Sequence, residues 1–277
     1  MSNLSIVSII VTLFVSFILP LAFLVCYALG HKKQGIWSAW LLGALGFCVP
    51  QILIRLPILT GLSKSAGFAA FAQNHPVAYG FGLAFTAGLF ELAGRYAVAR
   101  CLKKNLTCRR ALAAGLGHGG IEAILITGLA YLSNVVFLVM LQTGGFDAAL
   151  AQAGDASQLL AARDTLENTH WALFLLAGFE RLLAMTCHVA MSMMVCYGVH
   201  TNRVLPWTLA CLAVHTCMDF IASISLFIGR GLTLAAAYTI IYILLTAVTV
   251  LSILILKNIR SRWAAETAQE VPYDSQA

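Results

Sequence analysis

Residues 114–125, AGLGHGGIEAIL, place four glycines, a histidine and a glutamate in a run otherwise apolar enough to cross a lipid bilayer. Glycine weakens a helix, and ionisable side chains are expensive in hydrocarbon. A soluble helix could expose His118 and Glu122 to water at little cost. A membrane helix has to bury them against other polar groups. The surrounding chain decides between the two. Of 277 residues, 60% are hydrophobic and 10% charged, against about 25% charged in a soluble domain, and the mean hydropathy is +0.87. Apolar runs long enough to span hydrocarbon recur along its length.

Those runs predict an all-α, polytopic membrane helix bundle with seven spans: 5–30, 36–61, 76–102, 111–143, 169–200, 204–229 and 231–256. The fourth is long for a straight crossing. It is expected to tilt, to break near its glycines, which would raise the number of helices to eight, or to run on as an interfacial helix. The first run lacks preceding positive charge and a small-residue cleavage pattern, so it reads as a retained span. Residues 1–262 read as one transmembrane domain and 263–277 as a flexible cytoplasmic tail. The eight cysteines are scattered singly without a CxxC pair, which excludes a zinc ribbon and gives no disulfide framework. The net charge of +6 sits at helix ends, so it carries no nucleic-acid signal.

Basic residues in short loops mark the cytoplasmic side. Lys32 and Lys33, the group from Arg100 to Arg110, Arg203, and Lys257 to Arg262 all fall on one side. The 144–168 loop, with Asp147, Asp155, Asp164 and Glu167 against Arg163, falls on the other. The expected topology is a multi-pass protein of the bacterial inner membrane, N-terminus outside and C-terminus cytoplasmic. The loop has room for an amphipathic helix near Ala156–Arg163.

Of the 11 acidic residues, four lie inside spans: Glu91, Glu122, Glu180 and Asp219. His118, His188, His215, Arg95 and Arg181 lie there too. Intramembrane ionisable residues face a protein interior and mark function by default. Glu91 and Arg95, His118 and Glu122, and His215 and Asp219 are each four apart, and Glu180 and His188 eight apart, so each helix presents one polar stripe. At 1.5 Å per residue, Glu91, His118, Glu122, His188, His215 and Asp219 share a layer roughly 12–24 Å from the cytoplasmic helix ends. Glu180 falls nearer the outer half, paired with Arg181 or another helix. Spans three to six therefore share one buried polar site. Glu91–Arg95 taken alone reads as a structural ion pair, and the glycines have their own packing role, since small residues let transmembrane helices approach.

Such a layer holds the groups needed for peptide hydrolysis: a carboxylate to activate water and imidazoles with a second acid to stabilise an oxyanion. A metal-free route is preferred. Zinc is the alternative, held by His118, His188 and His215, although the HExxH zinc pattern is absent. A proton relay in a transporter would use the same residue types, but no inverted repeat or pair of broken helices accompanies them.

FELAGR, GLGHGGIEA, FERLLAMTCH and HTCMD, in this order on successive spans, resemble the YhfC family of intramembrane proteases. That family is similar to the glutamic-type CAAX prenyl endopeptidases, the PrsW proteases and the scaffold subunit of gamma-secretase. The resemblance runs by motif from Leu89 to Asp219. It implies Glu91 as the water-activating carboxylate, Arg95 as its positioning partner, His118 as a holder of the water, and His215 and Asp219 as oxyanion stabilisers. Glu122, Glu180 and His188 fit positions peculiar to this branch. Those relatives carry a double glutamate in the first motif, whereas Phe90 and Leu92 flank Glu91 here. Glu122 is then the other carboxylate available for the role, and a non-catalytic scaffold is a further outcome within the superfamily. The implied partners are the bilayer and a membrane-embedded peptide or protein substrate. The oligomeric state is left open.

Overall fold

The computed structural model describes residues 2–153 and 155–269. Nearly all of these are helical, and among them the one β-type contact is an isolated bridge between Ile228 and Leu232. In chain order the helices are α1 (Asn3–Gly30), α2 (Ile36–Ser63), α3 (Ala66–Asn74), α4 (Pro76–Asn105), α5 (Cys108–Thr143), α6 (Gly145–Gln152), α7 (Ser157–Asn168), α8 (Trp171–His200), α9 (Val204–Phe227) and α10 (Leu234–Gln269). Seven of them, α1, α2, α4, α5, α8, α9 and α10, are long and apolar enough to cross a membrane. The fold is all-α and polytopic, and the chain is a multi-pass membrane protein. The long fourth span does not break at its glycines. It continues as one helix through a π-helical stretch, Ala123–Gly128, immediately past Glu122. α10 runs on through residues 263–269 of the stretch read as tail, and 270–277 lie outside the described residues.

The chain forms two compact units, and the division runs through α1, α5 and α8. The first comprises residues 1–23 and 120–182. Its core gathers Ile9, Tyr131, Leu138, Leu166 and Phe174. The carbonyl of Phe174 accepts from Thr12 Oγ1 at 2.7 Å and from Tyr131 Oη at 3.1 Å, so two hydroxyls that would be costly in an apolar core are satisfied. The polar 144–168 loop forms α6 and α7. Leu166 is buried on the inner face of α7, and Arg163 pairs with Glu167 one turn on at 2.9 Å.

The second unit comprises, among the described residues, 24–119 and 183–269. α8 is its central helix: every residue from Cys187 to Val199 is buried, as expected of a helix apolar on all sides. Met191, Met193 and Met194 pack there with Cys211, Ile241, Ile259 and Trp263. Glycines bring the other helices close. A Cβ at Gly43 would lie 2.0 Å from the Ala114 carbonyl oxygen, one at Gly94 1.9 Å from that of Gly46, and one at Gly117 2.0 Å from that of Trp40. Only hydrogen fits at these positions. Outward-facing Leu53, Leu205 and Ile243 remain exposed, which suits lipid contact rather than water.

Candidate functional site

The site is built in the second unit around Glu91, midway along α4. Gly88, one turn earlier, opens the face toward α9: a Cβ there would lie 3.4 Å from His215 Cβ. On α5, Gly119 does the same for α8, since a Cβ would stand 2.9 Å from His188 Cβ. The glycines flanking His118 are therefore what let neighbouring side chains reach it. Glu91 and Arg95 are each 3% exposed, and His118, His188 and His215 each 1%.

Glu91 Oε2 accepts from His118 Nε2 at 2.9 Å and from Arg95 Nη2 at 3.2 Å. His188 Nδ1 and His215 Nε2 each stand 3.8 Å from the same oxygen. Arg95 can only donate. Its Nη2 donates to His188 Nδ1 at 2.5 Å and its Nη1 to His215 Nδ1 at 3.3 Å. Neutral His188 and His215 therefore carry their ring proton on Nε2. From there His215 donates to Asp219 Oδ2 at 3.2 Å. The His118 and His188 rings stack at 5.4 Å, and Phe47 meets the His118 ring edge-on at 5.5 Å. The arrangement is one carboxylate ringed by a guanidinium and three imidazoles from four helices. Asp219 is the member that leaves the dry interior: its side chain is 31% exposed and lines a cavity of about 300 Å³ with Gln51, Arg55, Tyr79 and Ser223.

Of the residues singled out from sequence, Glu91, Arg95, His118, His188, His215 and Asp219 come together in this unit. Glu180, Arg181 and Glu122 belong to the first unit, where Arg181 donates to Glu122 Oε1 at 3.2 Å and to Glu180 Oε1. The reading of Glu180 as paired with Arg181 matches this geometry. One residue was missed. Arg55 is 7% exposed and donates to the Leu83 carbonyl at 2.6 Å and to Thr86 Oγ1 at 3.2 Å. Its signal was available, because it is the sole charged residue between Lys33 and Lys64.

The family model described as YhfC intramembrane metalloprotease matches residues 15–244. The chain belongs to the YhfC family. All four motifs lie within the YhfC match. The Bacillus subtilis (strain 168) protein named "Uncharacterized membrane protein YhfC" is 31% identical over 238 residues, which cover 85% of this chain and 90% of that relative. No solved structure matches significantly.

The YhfC description raises a metal, and the residues can be tested against it. A carboxylate oxygen of Glu91 and ring nitrogens of His118 and His188 lie within 4.8 Å of one another. Two imidazoles and a carboxylate are a zinc-type donor set, so the chemistry fits. The set differs from the three histidines expected from sequence. The ring nitrogens of His215 are engaged by Arg95 and Asp219, and Glu91 stands in its place.

Proposed function

We propose that the chain is an intramembrane peptidase that hydrolyses a peptide bond of a membrane-embedded peptide or protein at the Glu91 layer. The observation that carries this reading is the buried Glu91 carboxylate, contacted by His118 and Arg95 and joined through His215 to Asp219 at the cavity wall. Water-excluding walls strengthen each of these interactions, and fixed donors need no reorganisation during reaction.

Each residue then has a task. Glu91 takes the proton of the attacking water. Arg95 orients Glu91 and fixes the tautomers of His188 and His215. His118 donates to the same Glu91 oxygen that Arg95 holds. The Nε2–H of His215, between Glu91 and Asp219, donates to the oxyanion, and the protonated Glu91 passes the water's proton on to the leaving amine. Asp219 keeps that imidazole oriented where the cavity begins.

A metal-dependent form is favoured by the donor group and by the family's description. Glu91, His118 and His188 would hold a zinc ion, which when bound supplies Lewis-acid polarisation and a low-pKa water. Glu91 is then a ligand, and proton handling falls to His215 and Asp219.

The test is cleavage of dye-labelled casein by the purified full-length chain in detergent micelles, with bound metal measured alongside. Glu91→Gln and His215→Ala are each expected to lower turnover at least ~100-fold. Full activity in either variant overturns the assignment. Loss of activity on chelation, restored by zinc, selects the metal form. Activity retained in a metal-free preparation selects the glutamate form. A metal-bound chain that leaves casein and single-span test peptides intact is a scaffold.

A further inference from the structure

The cavity beside Asp219 has features that hydrolysis at Glu91 leaves unused. A π-helical stretch of α2, Cys48–Arg55, with Pro50 near its start, supplies Gln51 and Arg55 to its wall. π turns are rare and recur at functional sites. Among the described residues, Arg55 meets no carboxylate within ion-pair distance, and its hydrogen bonds run from Nε and Nη2 to Leu83 and Thr86. Those bonds pin the guanidinium and leave Nη1 for something else. The Gln51 Oε1 acceptor is buried without a partner. Ser223 completes a wall that offers both donors and acceptors.

Charge and size narrow the occupant. With the imidazoles neutral, Arg55 and Arg95 balance Glu91 and Asp219, so a neutral, dipolar guest suits the unit better than an anion. A peptide main chain is such a guest. In hydrocarbon each unpaired backbone group costs several kcal/mol, so a substrate span unwound for hydrolysis needs replacement donors and acceptors. A volume of about 300 Å³ takes a short extended piece of chain, not a helix about 10–12 Å across.

We propose that this cavity is the subsite for the unwound substrate segment next to the scissile bond, and that Arg55 is its carbonyl receptor, donating through Nη1 to a substrate main-chain oxygen. This rests on the peptidase reading and names where that substrate lies. Arg55 acts on binding rather than chemistry, because it lines the cavity and its hydrogen bonds run to Leu83 and Thr86 and not to Glu91 or the imidazoles.

Two measurements on the full-length chain in micelles test it, both with dye-labelled casein as the probe. In steady-state cleavage, Arg55→Gln is expected to raise KM at least ~10-fold with kcat within ~2-fold of wild type, and Arg55→Lys to recover part of the loss. Ala222→Trp, which narrows the cavity without touching Arg55's own bonds, is expected to raise KM similarly if Arg55→Gln fails to give a monodisperse protein. A fall in kcat at unchanged KM, or no change in either variant, overturns the subsite.

The second measurement needs no turnover. A photo-crosslinking residue at Leu226, in the Glu91→Gln background, is expected to capture casein, with at least ~10-fold less capture when Arg55→Gln is added. Capture without any cleavage by the wild type leaves the peptide subsite standing and removes the peptidase reading. Cleavage without capture removes the subsite and leaves the peptidase.

Discussion

Arg95 is the residue on which the polar centre depends. It touches Glu91, His188 and His215 at once, so its loss leaves a buried carboxylate with one donor fewer and two imidazoles without their fixed tautomers. Removing one partner of a buried pair costs about 3–5 kcal/mol, whereas replacing both with neutral groups is often close to neutral. Arg95→Met is therefore expected to lower the thermal unfolding midpoint in detergent sharply. Glu91→Gln combined with Arg95→Met is expected to recover most of that stability with no casein cleavage, as followed by scanning fluorimetry and the protease assay. The four-residue steps in FELAGR and HTCMD made two pairs legible, Glu91 with Arg95 and His215 with Asp219, because i,i+4 residues share a face. The contacts of Arg95 with His188 and His215 join different helices, and no spacing marks them. Within the first unit Glu122 accepts from Arg181, a partner on another helix that no spacing names. Spacing identifies a face and says nothing of which neighbour that face meets. Arg55 escaped because no second charged residue four positions away drew attention to it.

At the scale of the helix, the glycines of GLGHGG have separate and testable tasks. A methyl group at Gly117 would meet the Trp40 carbonyl at 2.0 Å, whereas at Gly120 it would meet Pro20 Cβ at 3.3 Å. Gly117→Ala is expected to destabilise by about 1–3 kcal/mol, the usual range for overpacking, and Gly120→Ala by clearly less, read as shifts in unfolding midpoint. Composition made the need for close packing legible, but the backbone oxygens being approached belong to helices far away in sequence, and no local pattern names them.

α7 has a pH-sensitive start. Asp155 Oδ1 accepts from the Ser157 N–H at 2.9 Å, which holds its carboxyl below the usual range. A lowered folded-state pKa gives a contribution that is present above the ordinary carboxylate value and lost as pH falls through the folded one. Asp155→Ala is expected to speed amide exchange in the first turn of α7 at pH 7, and to match wild type once the pH falls below that depressed pKa.

Across the whole molecule, an odd number of candidate spans would put the termini on opposite faces of the membrane, and the basic loops predict a cytoplasmic C-terminus. A fluorescent protein fused after residue 277 is expected to fluoresce, and alkaline phosphatase inserted after residue 152 to be active in the periplasm. The reverse pattern would invert the topology. The number and order of spans were legible because a 20-residue apolar run is a strong signal. The division of α1, α5 and α8 between two units was not, since a continuous helix carries no mark in sequence where its neighbours change. The π-helical turn in α2 has one more consequence, for tolerance to insertion and deletion. Membrane loops accept changes in length, but a π turn is a helix carrying surplus chain. Deleting one residue within 48–55 would remove that surplus and leave the helix beyond it close to its present register, whereas adding one residue before Arg55 would turn everything beyond it by roughly 100°. Arg55 would then turn away from Leu83 and Thr86 while Gly43, before the stretch, kept its contact with Ala114. In this part of the molecule the length of the chain, as much as the identity of its residues, is fixed by the site.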